Sequence, residues 1–343
     1  MTASPDPAPP LDPLPDGWTA RVPDTDDVAG LVDLLAAHRR QARGDATADP
    51  ETVAAWVTGA GSWTRRQLVV DDASGATRAW AWVHDRAAGR TVVDVTVSPD
   101  LSDEDGDRVA EVLFAWAEAV GREMAKLRLL DETQLDATAY ADDTGQRRRL
   151  ERAGYRMTRT WLQMSRNVDD GPSLPHPREG VTVRPVARHD DGMPLAQDIQ
   201  VVHQMLEESF ADHFNSYRES FPEFLQRLRE DPGHRWDHWW VAEIDVDGEV
   251  VPGGALVGSV MSPDPSGVEG SYVDYIGVHR RARGRGVAKA LLRTVIRDAH
   301  DRGRNRVDLE VDADSPTGAD GLYTSMGWVV KYRTESWHAD CRA

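Results

Sequence analysis

The sequence predicts two tandem α/β (α+β) units, on three observations. The chain has 343 residues, a length that suggests about two domains. Its strand and helix signals run through one order and then run through it again. Between the two passes, Val168 to Gly180 (VDDGPSLPHPREG) carries proline and glycine and no apolar periodicity, which reads as a linker. The predicted layout is a disordered proline-rich leader over 1–16, a first domain over 17–167, the linker over 168–180 and a second domain over 181–343.

The first pass begins with a short strand at Trp18 to Val22. Asp24 to Asp27 caps a helix bearing Val28, Leu31, Leu34 and Leu35, and a second helix spans Glu51 to Val57. Strands follow at Gln67 to Asp71 and Arg78 to Val83, around the turn signal Asp72-Ala73-Ser74-Gly75, and then at Thr91 to Val97. A helix is predicted from Asp103 to Val120, a strand from Met124 to Leu130, a short helix from Gly145 to Ala153 and a strand from Tyr155 to Ser165.

The second pass has a strand at Val181 to Val186 and helices at Met193 to Ser209 and Phe221 to Leu228. Strands at Trp239 to Asp245 and Gly253 to Met261 flank the hairpin signal Asp247-Gly248. Gly270 to Val278 is a strand that runs through a basic, glycine-rich turn into a helix ending near Gly303. Arg306 to Asp312 is a strand, Gly318 to Ser325 a short helix, and Trp328 to Trp337 the last strand. The passes align piece by piece. Val93 to Val97 matches Asp274 to Val278, and Leu150-x-x-x-Gly154-Tyr155 matches Tyr323-x-x-x-Gly327-Trp328. A period of roughly half the chain marks a duplicated domain rather than a solenoid.

The turn between strand and helix is an anion site. Helix N-termini carry unpaired N–H groups and the positive end of the dipole. Gly284 and Gly286 let backbone approach a ligand, and Arg280, Arg281, Arg283 and Arg285 supply charge that pairs with phosphate. Two familiar phosphate motifs fail. A P-loop needs Gly-Lys-Ser/Thr, and a dinucleotide fingerprint needs glycine where Lys289 stands.

What fits is Arg283-x-x-Gly286-x-Ala288. It resembles the pyrophosphate loop of the GNAT acyltransferase superfamily, Gln/Arg-x-x-Gly-x-Gly/Ala. Leu322-Tyr323-x-x-x-Gly327-Trp328 is similar to that family's Leu-Tyr-x-x-x-Gly-Phe. The resemblance covers nearly all of 17–343, strongly in the second half and weakly in the first. It implies a tandem arrangement in which each domain is a twisted mixed β-sheet flanked by helices. It implies acetyl-CoA as co-substrate, with the diphosphate on Arg283, Gly284, Arg285, Gly286, Val287 and Ala288. The strand 270–278 would splay from its neighbour, and backbone near Ile276 and Val278 would pair with the pantetheine arm. The Val278 N–H would polarise the thioester carbonyl, and Tyr323 would protonate the departing thiolate. Ser315 stands where the family often has Asn, which leaves the turn intact and puts an amide contact to the cofactor in question.

Acyl transfer to an ammonium needs a general base. Asp274 and Glu269, on or beside the strand, are the candidates, with His213 a further one. The acceptor pocket of such folds is built by the first helices, here Glu207 to Trp240. Glu208, Asp212, His213 and Trp239 are its candidate contacts, and acids with aromatics suit a cationic amine. The first half has lost these devices. Ser98 to Asp107 is rich in acids, which repel a pyrophosphate, and Leu150 stands in the place of Tyr323. Ser102 with Asp105 still makes a sound capping box. The first domain is therefore expected to be catalytically silent.

The net charge of −18 argues against nucleic acid as a partner and is compatible with a cationic substrate. No apolar run is long enough for a membrane span, and the first sixteen residues lack a secretory n-region and h-region. The one cysteine, Cys341, excludes an internal disulfide, and a reducing cytoplasm is the simplest setting; Cys341 reads as an incidental tail residue. No metal is expected. The two domains would make a monomeric pseudo-dimer, or else the chain is a homodimer. The function these features predict is an N-acetyltransferase acting on a small cationic amine in a ternary complex. The rivals are a non-catalytic acyl-CoA-binding or regulatory module and a scaffold of two silent domains.

Overall fold

The computed structural model describes residues 14–44, 48–86, 90–210, 219–315 and 318–343. Residues 1–13 of the expected leader lie outside them. In chain order the elements are β1 (Thr19–Arg21), α1 (Val28–Arg43), α2 (Pro50–Val57), β2 (Arg65–Asp71), β3 (Thr77–Arg86), β4 (Arg90–Val97), α3 (Asp103–Leu127), β5 (Glu132–Tyr140), α4 (Thr144–Arg152) and β6 (Arg156–Asn167). They continue with β7 (Val181–Pro185), α5 (Ala196–Phe210), α6 (Phe221–Arg229), β8 (His234–Val246), β9 (Glu249–Met261), β10 (Gly270–Val278), α7 (Val287–Asp301), β11 (Arg306–Asp312), α8 (Ala319–Ser325) and β12 (Val329–Arg342). The fold is a mixed α/β one, as the resemblance implied.

The chain forms two compact units, 1–161 with 332–343, and 162–331. The first unit has strand order β1-β2-β3-β4-β5-β12. Its β4–β5 pair is parallel and its other pairs are antiparallel. The second unit runs β7-β8-β9-β10-β11, with the latter half of β6 beside β11. Here β10–β11 is the parallel pair. The repeat seen in the sequence is thus a repeat of topology.

The boundaries differ from the sequence reading in one respect. That reading places 181–343 together and ends the first domain at 167. The structure assigns 332–343 to the first unit and 162–167 to the second. The cause is side-chain burial. Trp337 and Cys341 of β12 lie in the first core, opposite Ala137 and Thr133 of β5, whereas Met164 and Val168 lie in the second core with Leu292, Ile296 and Trp328. Cys341 is therefore a buried core residue rather than an incidental one.

Two elements of the first unit differ from expectation. The helix expected to stop at Val120 continues to Leu127, and no strand forms over 124–130. Its buried row Val109, Leu113, Trp116, Val120 and Met124 keeps helical spacing to the end. The strand lies farther on, at β5, whose buried positions Thr133, Leu135, Ala137 and Ala139 alternate but are mostly small or polar. Ser102 caps α3 by accepting from the Asp105 N–H at 3.1 Å, and its hydroxyl donates to the Asp105 carboxylate at 2.8 Å. Among the described residues no helix is long and apolar enough to cross a membrane.

Candidate active site

The second unit's site is set by β10. Along its first half β10 pairs with β9 in regular antiparallel register, Gly270 opposite Met261 through Val273 opposite Gly258. Then one extra residue, Asp274, intervenes, and Tyr275 pairs with Val257. This is a β-bulge, which bends the strand and re-aims its side chains. Before it, Val273 packs on the α7 side; after it, Ile276 and Val278 do, while Tyr275 packs with Phe224 and Trp239 on the opposite side. The parallel pairing to β11 covers only Ser271–Val273 against Val307–Leu309. Both strands continue, β10 to Val278 and β11 to Asp312, so they part where the bulge begins. An open strand edge results. His279 donates its N–H to Gly253 on the β9 side at 3.0 Å. By the alternation of a strand, Val278 and Ile276 turn their backbone groups toward the open edge.

The open edge leads to the basic turn. His279 caps a 3-10 turn over Arg280–Ala282 by accepting from the Arg281 N–H at 3.2 Å. Gly284 has φ 78° and Gly286 φ 87°, a left-handed conformation that favours glycine. Gly286 is the N-cap of α7 and supplies no side-chain cap. The amides of Gly284, Gly286, Val287, Ala288 and Lys289 find no backbone acceptor among the described residues. Behind them, α7 is anchored by Val287, Leu291, Leu292, Val295 and Ile296, all buried. Two of the arginines fasten the turn to the β8–β9 hairpin, Arg281 to the Pro252 carbonyl at 2.8 Å and Arg285 to the Asp245 carbonyl at 2.7 Å. The His279 Nε2 lies 3.0 Å from the Glu208 carboxylate. Since Nδ1 accepts, Nε2 carries the proton, and burial with the Arg281 charge pushes the imidazole pKa down. A neutral imidazole thus ties the turn to α5.

Two titratable groups belong to this region, Asp274 at the bulge and Tyr323 in the cluster that also holds Ile276 and Val278. Tyr323 of α8 is buried, and its ring stands edge-on to Trp328 at 5.9 Å. Its hydroxyl makes no side-chain hydrogen bond among the described residues, and burial pushes its pKa up to about 12. It stays protonated at neutral pH, as a donor must. Asp274 accepts from the Ser259 hydroxyl at 3.2 Å. Burial, reinforced by the Asp231 charge and opposed by the Ser259 bond and Arg227, raises its carboxyl to about 7. That is the value a general base at neutral pH calls for.

A bulged and parted strand runs into a glycine turn whose amides at the start of a helix are able to accept an anionic group. Residues 202–328 match the Acetyltransferase (GNAT) family model, and the matched span holds the bulge, the turn and Tyr323. This segment is a GNAT domain. The chain is 31% identical over 221 residues to a mycothiol acetyltransferase of Frankia casuarinae, which covers 60% of this chain and 58% of that protein. Over 94 residues it is 39% identical to N-acetyltransferase 8B of Rattus norvegicus, covering 27% of this chain and 40% of that one. It thus spans less than two thirds of these relatives. The crystal structure of a GCN5-related N-acetyltransferase from Sphaerobacter thermophilus superposes with TM-score 0.71 at 27% identity, over 96% of this chain and 98% of that one. A tandem GNAT protein from the clavulanic acid biosynthesis pathway shares the fold, with TM-score 0.64 at 15% identity over 94% and 98% of the two chains.

Within the GNAT domain the expected site residues fall into groups. Ile276, Val278, Arg283, Gly284, Arg285, Gly286, Val287 and Ala288 form one continuous surface from strand edge to helix, and Asp274 begins it. Ser315 lies in the turn after β11, where its N–H donates to Asp312 and its carbonyl accepts from Gly318. The N-cap of α8 is Gly318, at φ 61°. Glu269 precedes β10 at the end opposite the turn. At about 3.3 Å per residue it stands about 23 Å from Ile276, half-exposed and 3.8 Å from Arg304. Trp239 is fully buried in the core between α5, α6 and the sheet, so it packs rather than contacts a ligand. Glu208 is engaged by His279 and by Gln204 at 2.7 Å. Asp212 and His213 lie outside the described residues. The sequence reading does not single out Ser259, which holds Asp274, or Arg227. Arg227 grips Glu219 through two bonds of 2.9 and 2.6 Å and donates to the Tyr275 hydroxyl at 2.8 Å. Their signal lies in cross-strand register, which residue types alone do not carry.

The first unit keeps some of the same plan. β4 pairs with β5 only over Arg90–Val93 and then continues to Val97, so these strands diverge as well. But β4 pairs with β3 in unbroken register from Arg90 to Val97, without a bulge. At the start of α3, Asp107 binds Arg148 at 2.9 Å, Arg149 at 3.1 Å and also Arg152. A Cβ on Gly106 would lie 2.5 Å from the Arg149 guanidinium. The place of a diphosphate is filled by an ion-pair network, and Leu150, where Tyr323 would be, is buried in the core.

Proposed function

We propose that the second unit is the working site of an N-acetyltransferase that moves the acetyl group of acetyl-CoA to a primary amine of a small cationic acceptor. The reading rests on one observation above others. A single bulge at Asp274 both frees the edge of Ile276–Val278 and places a carboxylate of neutral pKa beside it. The diphosphate would sit on the amides of Gly284 to Lys289, with Arg280 and Arg283, which have no side-chain partner among the described residues, placed to pair with it. The pantetheine arm would extend along the open edge toward Asp274.

Direct transfer in a ternary complex follows from these groups. The Asp274 carboxylate takes the proton of the acceptor ammonium, directly or through a water. The amine lone pair attacks the thioester carbon, and the carbonyl π pair moves onto oxygen, where the Val278 N–H donates to it. As the carbonyl re-forms and the C–S bond breaks, the electron pair leaves with sulfur, the Tyr323 hydroxyl supplies its proton, and the nitrogen releases its second proton to water. A thiol of ordinary pKa about 8.5 is a weaker base as thiolate than a phenolate of about 12, so Tyr323 regains its proton from solvent. The net charge of −18 is compatible with a cationic acceptor. The mycothiol acetyltransferase relative makes amino-thiol conjugates the first acceptors to assay. The first unit would be catalytically silent, its diphosphate place held by Asp107 and three arginines.

The test is release of free thiol from acetyl-CoA across a panel of amines, with Tyr323→Phe in parallel. Amine-dependent thiol release that falls about 100-fold or more in the variant supports transfer. Acetyl-CoA binding without thiol release for any amine would leave a binding module instead.

A further inference from the structure

Gly171 to Arg178 reads in the sequence as linker. In the second unit it is a strap laid along α7. A Cβ at Gly171 would lie 2.9 Å from the His300 Cβ, at the C-terminal end of the helix. One turn back, the Arg297 guanidinium donates to the Leu174 carbonyl at 3.2 Å and the Pro175 carbonyl at 2.8 Å. Leu174 packs against the second core. At the N-terminal end, the Arg178 Cδ lies 3.1 Å and its Nε 3.3 Å from where a Gly286 Cβ would be. A 3-10 turn over Gly171–Ser173 seats the strap at the C-terminal end of the helix, and the extended, proline-rich run Leu174 to Arg178 continues from it toward the start of α7. Pro175 and Pro177 fix their own φ and keep Leu174 and His176 extended. The strap therefore holds the Arg178 backbone beside the start of α7, with its side chain exposed there.

That place is the mouth of the glycine turn. The Arg178 side chain makes no hydrogen bond or ion pair among the described residues. An arginine lying on the N-cap of α7, next to unpaired amides and with no acid to pair with, has a fork of donors available for a phosphate.

We propose that Arg178 is a ligand of the CoA diphosphate, carried to the Gly284–Lys289 amides by the 171–178 strap. The inference rests on the acetyl-CoA reading of the site. Two separate segments then build the phosphate site. The turn supplies the amides, and the strap supplies a guanidinium from about 100 residues earlier in the chain.

Calorimetric titration of the full chain tests it, with CoA, dephospho-CoA and pantetheine as probes, in wild type, Arg178→Ala and Arg178→Lys. The alanine variant is expected to bind CoA and dephospho-CoA about 10-fold more weakly and pantetheine as wild type does. The lysine variant should recover some of the loss, since it restores charge without the fork. An unchanged affinity of Arg178→Ala for CoA overturns the proposal. So does a loss seen with CoA but not with dephospho-CoA, which would place Arg178 on the 3′-phosphate. A melting temperature matching wild type without ligand shows that the variant is folded. Failure of the wild-type chain to bind CoA would instead sink the acetyl-CoA reading itself.

Discussion

Replacing Asp274 by Asn is the most informative single perturbation. Asparagine keeps the size of the side chain and can still meet the Ser259 hydroxyl, but it never ionises. In the folded chain the Asp274 carboxyl titrates at about 7, against 3.8 for an ordinary one. A carboxyl whose folded pKa is raised contributes stability that is complete below its unfolded pKa and is lost as pH rises through its folded value. The window is therefore pH 4 to 7. Three pH units at about 1.36 kcal/mol each give about 4 kcal/mol as the ceiling of the loss. Other groups titrate alike in both proteins and cancel in the difference. Urea denaturation at pH 4, 5, 6, 7 and 8 reads this directly. Wild-type stability minus that of Asp274→Asn should fall by up to about 4 kcal/mol between pH 4 and 8. The same substitution should remove an acidic limb near pH 7 from kcat/KM and lower it about 100-fold or more. Stability curves that run parallel for the two proteins would show that the bulge does not hold Asp274 in a desolvated, base-competent state.

Other consequences are equally accessible. Tyr323→Phe removes a hydroxyl without a side-chain partner among the described residues, so the fold and CoA affinity should hold within about 2-fold while kcat falls about 100-fold or more, as single-turnover kinetics would show. Gly286→Ala sets a side chain at φ 87° and against Arg178, at a cost of about 1–2 kcal/mol; CoA titration should show affinity reduced about 10-fold. Trp337→Ala empties a fully buried place in the first unit's core and should destabilise the chain by about 3–5 kcal/mol, measured by urea. Hydrogen exchange should locate that loss in 17–161, although Trp337 lies far along the chain beyond the second domain.

Much of the site is legible in the chain because its elements are local. Arg283 to Ala288 is a turn and a helix start within six residues, and Tyr323 to Trp328 is one helix and its exit. Other features depend on contacts made across the fold. The bulge at Asp274 has no glycine or proline to announce it and exists only as a shift in pairing with Gly258 and Val257. The assignment of 332–343 to the first unit turns on Trp337 and Cys341 finding Ala137 and Thr133, some 200 residues away. Acids and aromatics surround Trp239 in sequence and suggest a pocket wall; strand alternation instead turns it inward against Phe224. Small buried residues hide β5, while Lys126 to Leu130 mimics a strand at the end of α3. Proline content makes 168–180 look like a spacer, although prolines serve equally to hold a segment straight against a helix.

Everything proposed for this chain depends on acetyl-CoA lying in the second unit, from the glycine turn along the freed edge of β10. The decisive measurement is a crystal structure of the full chain with CoA. The diphosphate should lie on the amides of Gly284 to Lys289, the pantetheine arm beside Ile276 and Val278, and the sulfur within hydrogen-bond reach of the Tyr323 hydroxyl. CoA found instead in the first unit, at Asp103 to Asp107, or bound away from β10 in the second, would contradict this placement.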